Sequence, residues 1–241
     1  MREIIRLSDE LRSLAGQFDE LTGKLLLGVI STVSTGILPE AIMNLKRENP
    51  NLTVKIVNGQ SDELFRCVSD GSLDAAIITE TGQSYPDIRC RTISEEPFMI
   101  VAPAAYEHRE AIDLFRELPF IRFNRRTRTG RIIELQLRKR KMRVNETMEL
   151  DSIEAILEMV AEGVGVSIVP EHCVTARYLK DLSIQPFGNP VLIRKVGFIE
   201  RSDHQKKGFT DALFVLLQRS EMTKSQPLGD ALNRQKIACP D

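Results

Sequence analysis

The sequence predicts an α/β protein with two halves, each built from strands that alternate with helices. Two observations carry this prediction. Three βα-type units follow one another in residues 23–79, and a second βα series occupies residues 118–170. The strands of these units are short and nearly continuous apolar runs, which are typical of parallel strands covered on both faces. This alternation favours a parallel, doubly wound sheet.

The chain is organised around residues 23–45, which predict a strand, a hydroxyl-rich turn and a helix. An apolar run from Leu25 to Ile30 is followed by four hydroxyl side chains in residues 31–35. Helical spacing begins after Gly36, with Pro39 tolerated in the first turn. Two interpretations of the hydroxyls stay open. They cap the helix, or they bind a carboxylate or phosphate together with the amide groups at the helix start.

The next units repeat this pattern. A strand over residues 52–57 precedes Ser61, which is placed to cap a helix, and a buried strand over residues 73–78 runs into Thr79. Asp151 and Glu154 have capping-box spacing, so Asp151 is the predicted N-cap of another helix. The remaining predictions are strands over residues 88–102, 118–123, 143–148 and 191–199, a turn into a strand over 163–170, helices over 130–140 and 151–162, and a closing helix with an apolar face over 209–217.

The turns that follow the strands are expected to gather at one edge of the sheet, because parallel strands end together. Ligands of open α/β sheets bind at that edge. The two halves should therefore face a shared cleft, which indicates a binding protein first.

The N-terminal segment has a heptad pattern over about three heptads, with charged and polar residues at the other positions. The apolar positions are Ile4, Leu7, Leu11, Leu14, Phe18 and Leu21. Such a helix should pair with a second copy, which predicts a homodimer, or else lie on the globular part. At the other end, residues 222–241 have the composition of a disordered tail.

Composition excludes several functional classes. A net charge of −1 and a pI near 6.4 provide no overall basic field for nucleic acid. No apolar run reaches the ~20 residues that span a membrane. The charged N-terminus lacks the apolar core of a secretory signal, so a cytoplasmic protein is expected.

The cysteines and histidines show no metal-ligand spacing, so we expect no metal and no cofactor. We interpret the thiols as buried and unreactive, with a redox-sensing pair as the open alternative. His172 is expected at a helix start rather than at a strand end. The four cysteines are Cys67, Cys90, Cys173 and Cys239.

Three segments, in this order along the chain, resemble the effector-binding domain of LysR-type transcriptional regulators. They are ILPEAIMNLKRENPNLTVKIVNG, GSLDAAI and EAILEMVAEGVGVSIVPE. The resemblance covers residues 23–220, and residues 1–22 match the linker helix of that family. The winged helix-turn-helix that precedes this linker in the family is not in the sequence, so an excised regulatory domain is expected.

The resemblance implies two doubly wound α/β subdomains of the type II periplasmic-binding-protein kind, joined by two hinge crossovers. Subdomain I would comprise residues 23–101 and 202–221, and subdomain II residues 102–201, with crossover strands near 98–102 and 197–201. The family senses a small molecule, usually an organic acid, in the cleft. The implied partners are this effector, a homodimer or homotetramer, and promoter DNA only through the missing N-terminal domain, with no membrane.

Matching the family position by position implies candidate effector-binding residues on both sides of the cleft. They are Ser31, Thr32, Ser34, Ser61, Thr79, Phe123, Asn124, Arg125, Met148 and Glu149. Arg125, Arg126 and Arg128 follow a predicted strand end near the cleft mouth, where a guanidinium can clamp a carboxylate or phosphate. These residues favour a small polar anion as the effector.

Two rival functions stay open: a small α/β enzyme and a cytoplasmic solute-binding protein on the same fold. An enzyme would need a nucleophile with an adjacent base, or a paired acid and base, in the cleft. No such pair is evident, since Asp151 is better explained as a cap, and no catalytic residue is predicted. A free solute-binding protein would be exported and monomeric, which the heptads and the missing signal disfavour.

Overall fold

Strands and helices alternate along the chain in a computed structural model, which describes residues 23–34 and 36–224. The strands are β1 Gly23–Val29, β2 Leu52–Asn58, β3 Ala75–Thr79, β4 Ile88–Pro103, β5 Phe120–Phe123, β6 Glu146–Leu150, β7 Ser167–Pro170, β8 Leu182–Pro186 and β9 Ile193–Arg201. The α-helices are α1 Ser31–Ser34, α2 Leu38–Glu48, α3 Ser61–Ser69, α4 Ala111–Glu117, α5 Arg128–Lys139, α6 Ile153–Ala161 and α7 Lys207–Lys224.

Seven of these strands form one sheet. Its order is β2-β1-β3-β9-β4-β7, and β8 also pairs with β4. The βα units make β1 parallel to β2 and β3, whereas β9 runs antiparallel to both β3 and β4. Strands β5 and β6 form a separate parallel pair. The predicted α/β architecture is therefore confirmed.

Apolar side chains divide the molecule into two lobes. In the first lobe, Leu27, Ile77 and Phe198 belong to one buried cluster that also includes Leu213 of α7. In the second lobe, two clusters lie on either side of the strands. Phe98 and Phe120 belong to one, and Ile121 and Val169 to the other. Each such buried side chain contributes about 1.5–3 kcal/mol relative to an exposed one.

Strands β4 and β9 cross between the lobes side by side. Ile93 and Val196 pack in the first core, whereas Phe98 packs in the second and Leu192 lies against it. The crossing therefore lies between these residues, a few positions before the predicted crossover strands. The predicted subdomain boundaries stay predictions. Glu96 of β4 and Arg194 of β9 are direct partners at the crossing.

Three predicted caps differ from the structure. Helix α2 has Ile37 at its N-cap, so the hydroxyls of residues 31–34 do not cap it. Ser61 is the first residue of α3, and its Oγ accepts a hydrogen bond from the Thr79 amide at 3.2 Å. Helix α6 is capped by Ser152, whose Oγ accepts from the Ala155 amide at 3.2 Å, and not by Asp151. Asp151 precedes the capping position, where its backbone leaves β6.

Some elements begin elsewhere or were missed. Strand β6 begins three residues later than predicted, because it covers only the residues that pair with β5. Helix α4 and strand β8 were not predicted, since each is short. Helix α7 extends to Lys224, past the predicted start of the tail.

The heptad positions from Ile4 to Leu21 and residues 225–241 lie outside the described residues. The dimerisation helix and the disordered tail therefore remain predictions. No helix in the described part of the chain is both long and apolar enough to cross a membrane.

Gly130 lets the first turn of α5 approach the end of β5. A Cβ atom at this position would lie 2.1 Å from the Asn124 carbonyl oxygen, a backbone atom in a tight turn. We expect Gly130→Ala to lower the free energy of unfolding by about 1–3 kcal/mol through overpacking. Urea unfolding at pH 7 measures this change.

The matched control is Leu135→Ala on the same helix, whose side chain is half exposed. It should change the free energy of unfolding by no more than about 0.5 kcal/mol. Equal effects of the two substitutions would contradict the close approach at Gly130.

Candidate functional site

A cleft of about 290 Å³ lies between the two lobes. Its walls are the segments that follow β1, β2 and β3 on one side, and β5 and β6 on the other. The lining residues are Ile30, Ser31, Thr32, Asn58, Gly59, Gln60, Ser61, Glu63, Thr79, Phe123, Asn124, Thr127, Arg128, Thr129 and Asp151.

Sheet geometry explains why these segments meet. The parallel strands of each lobe end at the edge that faces the other lobe, and helices α3 and α5 begin there. The first amide groups of a helix have no intrahelical acceptor, and their dipoles favour negative charge. The predicted shared cleft thus has a polar, electropositive character from the backbone alone.

Six of the ten candidate effector-binding residues line this one cleft: Ser31, Thr32, Ser61, Thr79, Phe123 and Asn124. The other four do not. Ser34 bonds instead to the Asn58 side chain at 2.9 Å, and Met148 packs on the core beneath α6. Effector binding by the six remains a prediction.

Arg125 and Glu149 pair with each other outside the cleft. Arg125 Nε lies 3.3 Å from Glu149 Oε2, and the same guanidinium pairs with Glu146. The expectation that Arg125 faces the cleft mouth is therefore wrong. These two acids of β6 hold it on the second lobe.

Arg128, which was expected near the cleft mouth together with Arg125 and Arg126, lines the cleft. Its Nη1 donates to the Thr79 carbonyl oxygen at 2.8 Å, and its Nη2 pairs with Asp62 of α3. Arg131 pairs with the same carboxylate. Partial burial opposes ionisation of Asp62, but hydrogen bonds from both arginines outweigh it and lower the pKa of this carboxyl. This cluster joins the lobes across the cleft.

The cleft floor is formed by four buried hydroxyl residues, Thr32, Ser61, Thr79 and Thr129. Thr79 Oγ1 of the first lobe lies 3.3 Å from Thr129 Oγ1 of the second. The floor therefore offers hydroxyl groups from both lobes to a ligand.

Arg194 lies directly beneath this floor and is 2% exposed. Its Nε and Nη2 lie 2.8 and 2.7 Å from Glu96 Oε2. Its Nη1 donates to Thr129 Oγ1 at 2.7 Å, and its Nη2 donates to Thr32 Oγ1 at 3.0 Å. One guanidinium thus connects the crossing strands with both lobes.

His172 joins the same network from the end of β7. Its Nε2 lies 2.5 Å from the Thr32 carbonyl oxygen, and its Nδ1 lies 2.9 Å from Glu96 Oε2. Both neighbours are acceptors, an arrangement that favours the doubly protonated, positively charged ring. Burial opposes this charge, but the Cys173 sulfur and the Glu96 carboxylate outweigh it and raise the pKa of His172 well above 6.5.

Glu96 is the shared counter-ion of these two cations. Burial alone would raise its pKa, but Arg194 and His172 outweigh burial and lower the pKa of Glu96 to about 2. Ser94 Oγ adds a hydrogen bond to Oε1 at 3.0 Å. The network therefore holds two positive charges against one negative charge under the cleft.

Sequence reasoning missed Glu96, Arg194 and His172. The available signal was a charged pair in each crossover strand: Glu95 and Glu96 in β4 face Arg194 and Lys195 in β9. His172 lies in a short 3-10 helix, Glu171–Cys173, directly after β7, which agrees with the expected helix start.

The cysteines are less buried than expected. Cys67 and Cys173 are partly exposed, Cys90 is exposed, and Cys239 lies outside the described residues. Desolvation of its sulfur and the nearby Glu80 carboxylate raise the pKa of Cys90 to about 11, so this thiol stays protonated at neutral pH. Among the described residues, no group of three or more His, Cys, Asp or Glu is arranged to hold a metal ion.

We expect Glu96→Gln to destabilise the protein at pH 7, because it leaves the Arg194 charge buried and unpaired. Removing one partner of a buried ion pair costs about 3–5 kcal/mol. The matched control is Glu95→Gln, since Glu95 and its partner Lys195 are each more than half exposed. The control should cost at most about 1 kcal/mol in urea unfolding.

The effect of Glu96→Gln should depend on pH with a defined sign. The folded pKa of Glu96 is about 2, below the ordinary value of 4.5. Its ionisation therefore stabilises the protein above pH 4.5, and this contribution is lost as the pH falls through about 2. The difference between wild type and Glu96→Gln should shrink over that range, and a constant difference would contradict the assignment.

Comparisons with known proteins agree with this fold. Residues 18–220 match the family model of the LysR substrate binding domain. The HTH-type transcriptional regulator CzcR from Bacillus anthracis is 29% identical over 174 residues, which cover 72% of this chain and 58% of that protein. The chain thus spans less than two thirds of the length of this relative.

Solved structures show the same fold. A full-length OxyR variant from Pseudomonas aeruginosa superposes with a TM-score of 0.70 at 23% identity, covering 90% of this chain and 76% of that one. The effector binding domain of QuiR in complex with shikimate gives a TM-score of 0.69 at 16% identity, covering 85% and 99%. The expected fold of the type II periplasmic-binding-protein kind is confirmed. The chain belongs to the LysR substrate binding domain family.

Proposed function

We propose that this chain is the effector-sensing part of a longer LysR-type regulator. It binds a small organic anion in the cleft between the lobes, and occupancy of the cleft controls promoter binding by the full-length protein. The chain itself performs no catalysis. DNA contact belongs to a separate domain, and residues 2–22 pair two copies into a homodimer or a higher homo-oligomer in the cytoplasm.

One observation carries the choice of an anion: the cleft floor lies over an excess of positive charge. Arg194 and protonated His172 are balanced there by a single carboxylate, Glu96. In a poorly solvated site, such a fixed charge attracts an anion more strongly than in water. An anionic ligand would neutralise the excess.

The mouth of the cleft supports the same choice. The Arg128 side chain is 14% exposed, and it presents a guanidinium that can bind a carboxylate in a bidentate manner. The two acids of the lining, Glu63 and Asp151, are exposed at the rim, where water screens them. Their repulsion of a bound anion is therefore weaker than the attraction from the buried cations.

The size of the cleft limits the ligand to a small metabolite. A volume of about 290 Å³ lies at the lower end of the range for small-molecule sites. The structural neighbour QuiR binds shikimate, a small cyclic carboxylate, in an effector binding domain of the same fold. A ligand of that size and charge suits the present cleft.

The relatives are transcriptional regulators, which supports a regulatory rather than an enzymatic role. An enzyme or a free solute-binding protein on this fold remains the alternative. A thermal-shift screen against organic acids, with shikimate included, begins the test. A ligand that binds only the folded state stabilises it by about 2.7 kcal/mol at a hundredfold excess over Kd.

Arg128→Gln should weaken the binding of any carboxylate found in this screen. Loss of a hydrogen-bonded charge pair costs about 1.5–3 kcal/mol, which corresponds to about a 10- to 150-fold rise in Kd. Calorimetric titration measures the change. The matched control is Arg138→Gln, since Arg138 pairs only with Glu134 on the exposed face of α5 among the described residues. Unchanged affinity in Arg128→Gln would refute the role of the guanidinium.

Asp62→Asn should have the opposite effect on affinity. Asp62 occupies the Arg128 guanidinium in the ligand-free protein, so a bound carboxylate has to compete with it. Removing a partly exposed charge of this kind releases about 0.5–1 kcal/mol, or a two- to fivefold gain in affinity. Asp113→Asn, which breaks an exposed pair with Arg116 outside the cleft, should leave affinity unchanged.

A further inference from the structure

We propose that Arg194 fixes the direction of the hydroxyl groups in the cleft floor, so that the floor selects hydrogen-bond acceptors and takes the carboxylate end of the effector. This inference deepens the proposed function and rests on it for the identity of the cleft as the effector site. Arg194 acts as a positioning residue, because it is buried beneath the floor and is absent from the cleft lining.

Arg194 can only donate hydrogen bonds to its neighbours. An arginine side chain has five N–H donors and no acceptor. Thr129 Oγ1 and Thr32 Oγ1 lie 2.7 and 3.0 Å from Arg194 nitrogens, so both oxygens must accept hydrogen bonds from Arg194. Each of these two bonds uses one lone pair of a threonine oxygen on the side away from the cleft.

The hydroxyl proton of Thr32 is then left for the cleft. Within residues 23–34 and 36–224, Thr32 Oγ1 has no hydrogen-bond partner besides Arg194. Because a donor already lies on its buried side, the O–H bond of Thr32 turns toward the open side. Thr32 lines the cleft there.

The Thr79–Thr129 pair, which spans the two lobes, supplies another proton by a different route. Thr129 Oγ1 and Thr79 Oγ1 are 3.3 Å apart, and either can donate to the other. If Thr79 donates, the proton of Thr129 is free for the cleft, and if Thr129 donates, the proton of Thr79 is free. Both residues line the cleft, so each arrangement presents one donor.

The network below the floor prevents a reversal of this polarity. Glu96 holds Arg194 through Nε and Nη2, and His172 holds Glu96. The His172 ring also lies against the Thr32 carbonyl oxygen, so both oxygens of Thr32 are fixed by cationic side chains. The guanidinium cannot turn away, so one lone pair of each threonine oxygen stays occupied. A cationic donor that approached the remaining lone pair would be repelled by the buried Arg194 and His172 charges.

The result is a floor with two hydroxyl donors, one from Thr32 and one from the Thr79–Thr129 pair, above a buried positive charge. A carboxylate accepts from such donors with two oxygens and also gains from the charge. A carboxamide has one carbonyl acceptor, and its NH₂ group would face hydroxyl protons. An ammonium group would meet both the protons and the charge, so the expected order of binding is carboxylate, then carboxamide, then ammonium.

The first experiment determines the proton positions directly. Neutron diffraction from crystals of the deuterium-exchanged chain should place the Thr32 hydroxyl deuteron on the cleft side. A second deuteron, from either Thr79 or Thr129, should also face the cleft. A Thr32 deuteron that points to a protein atom, with a lone pair toward the cleft, would overturn the inference.

The second experiment measures selectivity with acetate, acetamide and methylammonium at constant ionic strength. These probes share one methyl group and are small enough for any carboxylate subsite. Shifts of the threonine methyl resonances should report tighter binding of acetate than of acetamide, with methylammonium weakest. Equal binding of the three probes, or no shift with acetate, would overturn the inference.

Variants separate positioning from folding. Thr32→Val and Thr129→Val should each weaken acetate about tenfold or more, whereas Thr32→Ser should retain binding. Arg194→Lys keeps the charge but cannot bond Glu96 and both threonines at once, so it should reduce the ratio of acetate to acetamide affinity. Thr53→Val, on the exposed edge strand β2, is the control for loss of a hydroxyl.

The two proposals fail separately. If Arg128→Gln leaves carboxylate binding unchanged, the role of the cleft mouth in effector binding is refuted. The deuteron positions still decide the polarity of the floor in that case. If Arg194→Lys folds and retains the wild-type ratio of acetate to acetamide affinity, the inference about Arg194 is overturned while effector binding stands.

Discussion

The buried ion pair between Glu96 and Arg194 is the interaction on which the site depends. The two residues are 98 positions apart in the chain and lie opposite each other on the strands that cross between the lobes. Burying two charges is costly unless their remaining donors and acceptors are satisfied. The remaining donors and acceptors of this pair are satisfied by four residues, Thr32, Thr129, His172 and Ser94. The main contribution of the pair is therefore to fix the geometry of the site rather than to add stability.

The same pair explains the electrostatics of the cleft. Without His172, Arg194 and Glu96 would neutralise each other beneath the floor. The protonated imidazole adds a second positive charge to the shared carboxylate, and the two acceptors beside its nitrogens favour that protonation. The excess positive charge lies under the hydroxyl groups of the floor. It polarises their O–H bonds and makes them stronger hydrogen-bond donors. The buried ion pair and the proposed preference for an anionic ligand thus have one origin.

The sequence could predict most of the fold and only part of the site. Apolar runs such as residues 25–30 identified the strands, and the rule that ligands bind at strand ends brought Thr32, Thr79 and Asn124 together. Arg128 was harder to choose over Arg125, because that choice depends on Glu146 and Glu149 holding Arg125 elsewhere. Local patterns show a charged pair in each crossover strand but could not match Glu96 with Arg194, since only strand pairing brings them into contact.

The Arg194 network is attached to both lobes, so ligand binding in the cleft can be coupled to the relative position of the lobes. A ligand changes the relative position of two lobes only by binding one arrangement better than another. A carboxylate bonded to Thr32 and to Thr129 would contact both lobes. Those hydroxyls are held by Arg194, which is itself bonded to the opposite crossover strand. Separation of the lobes would break the bonds of Arg194 to one threonine or the other, so ligand binding at the floor and closure of the cleft depend on the same side chain.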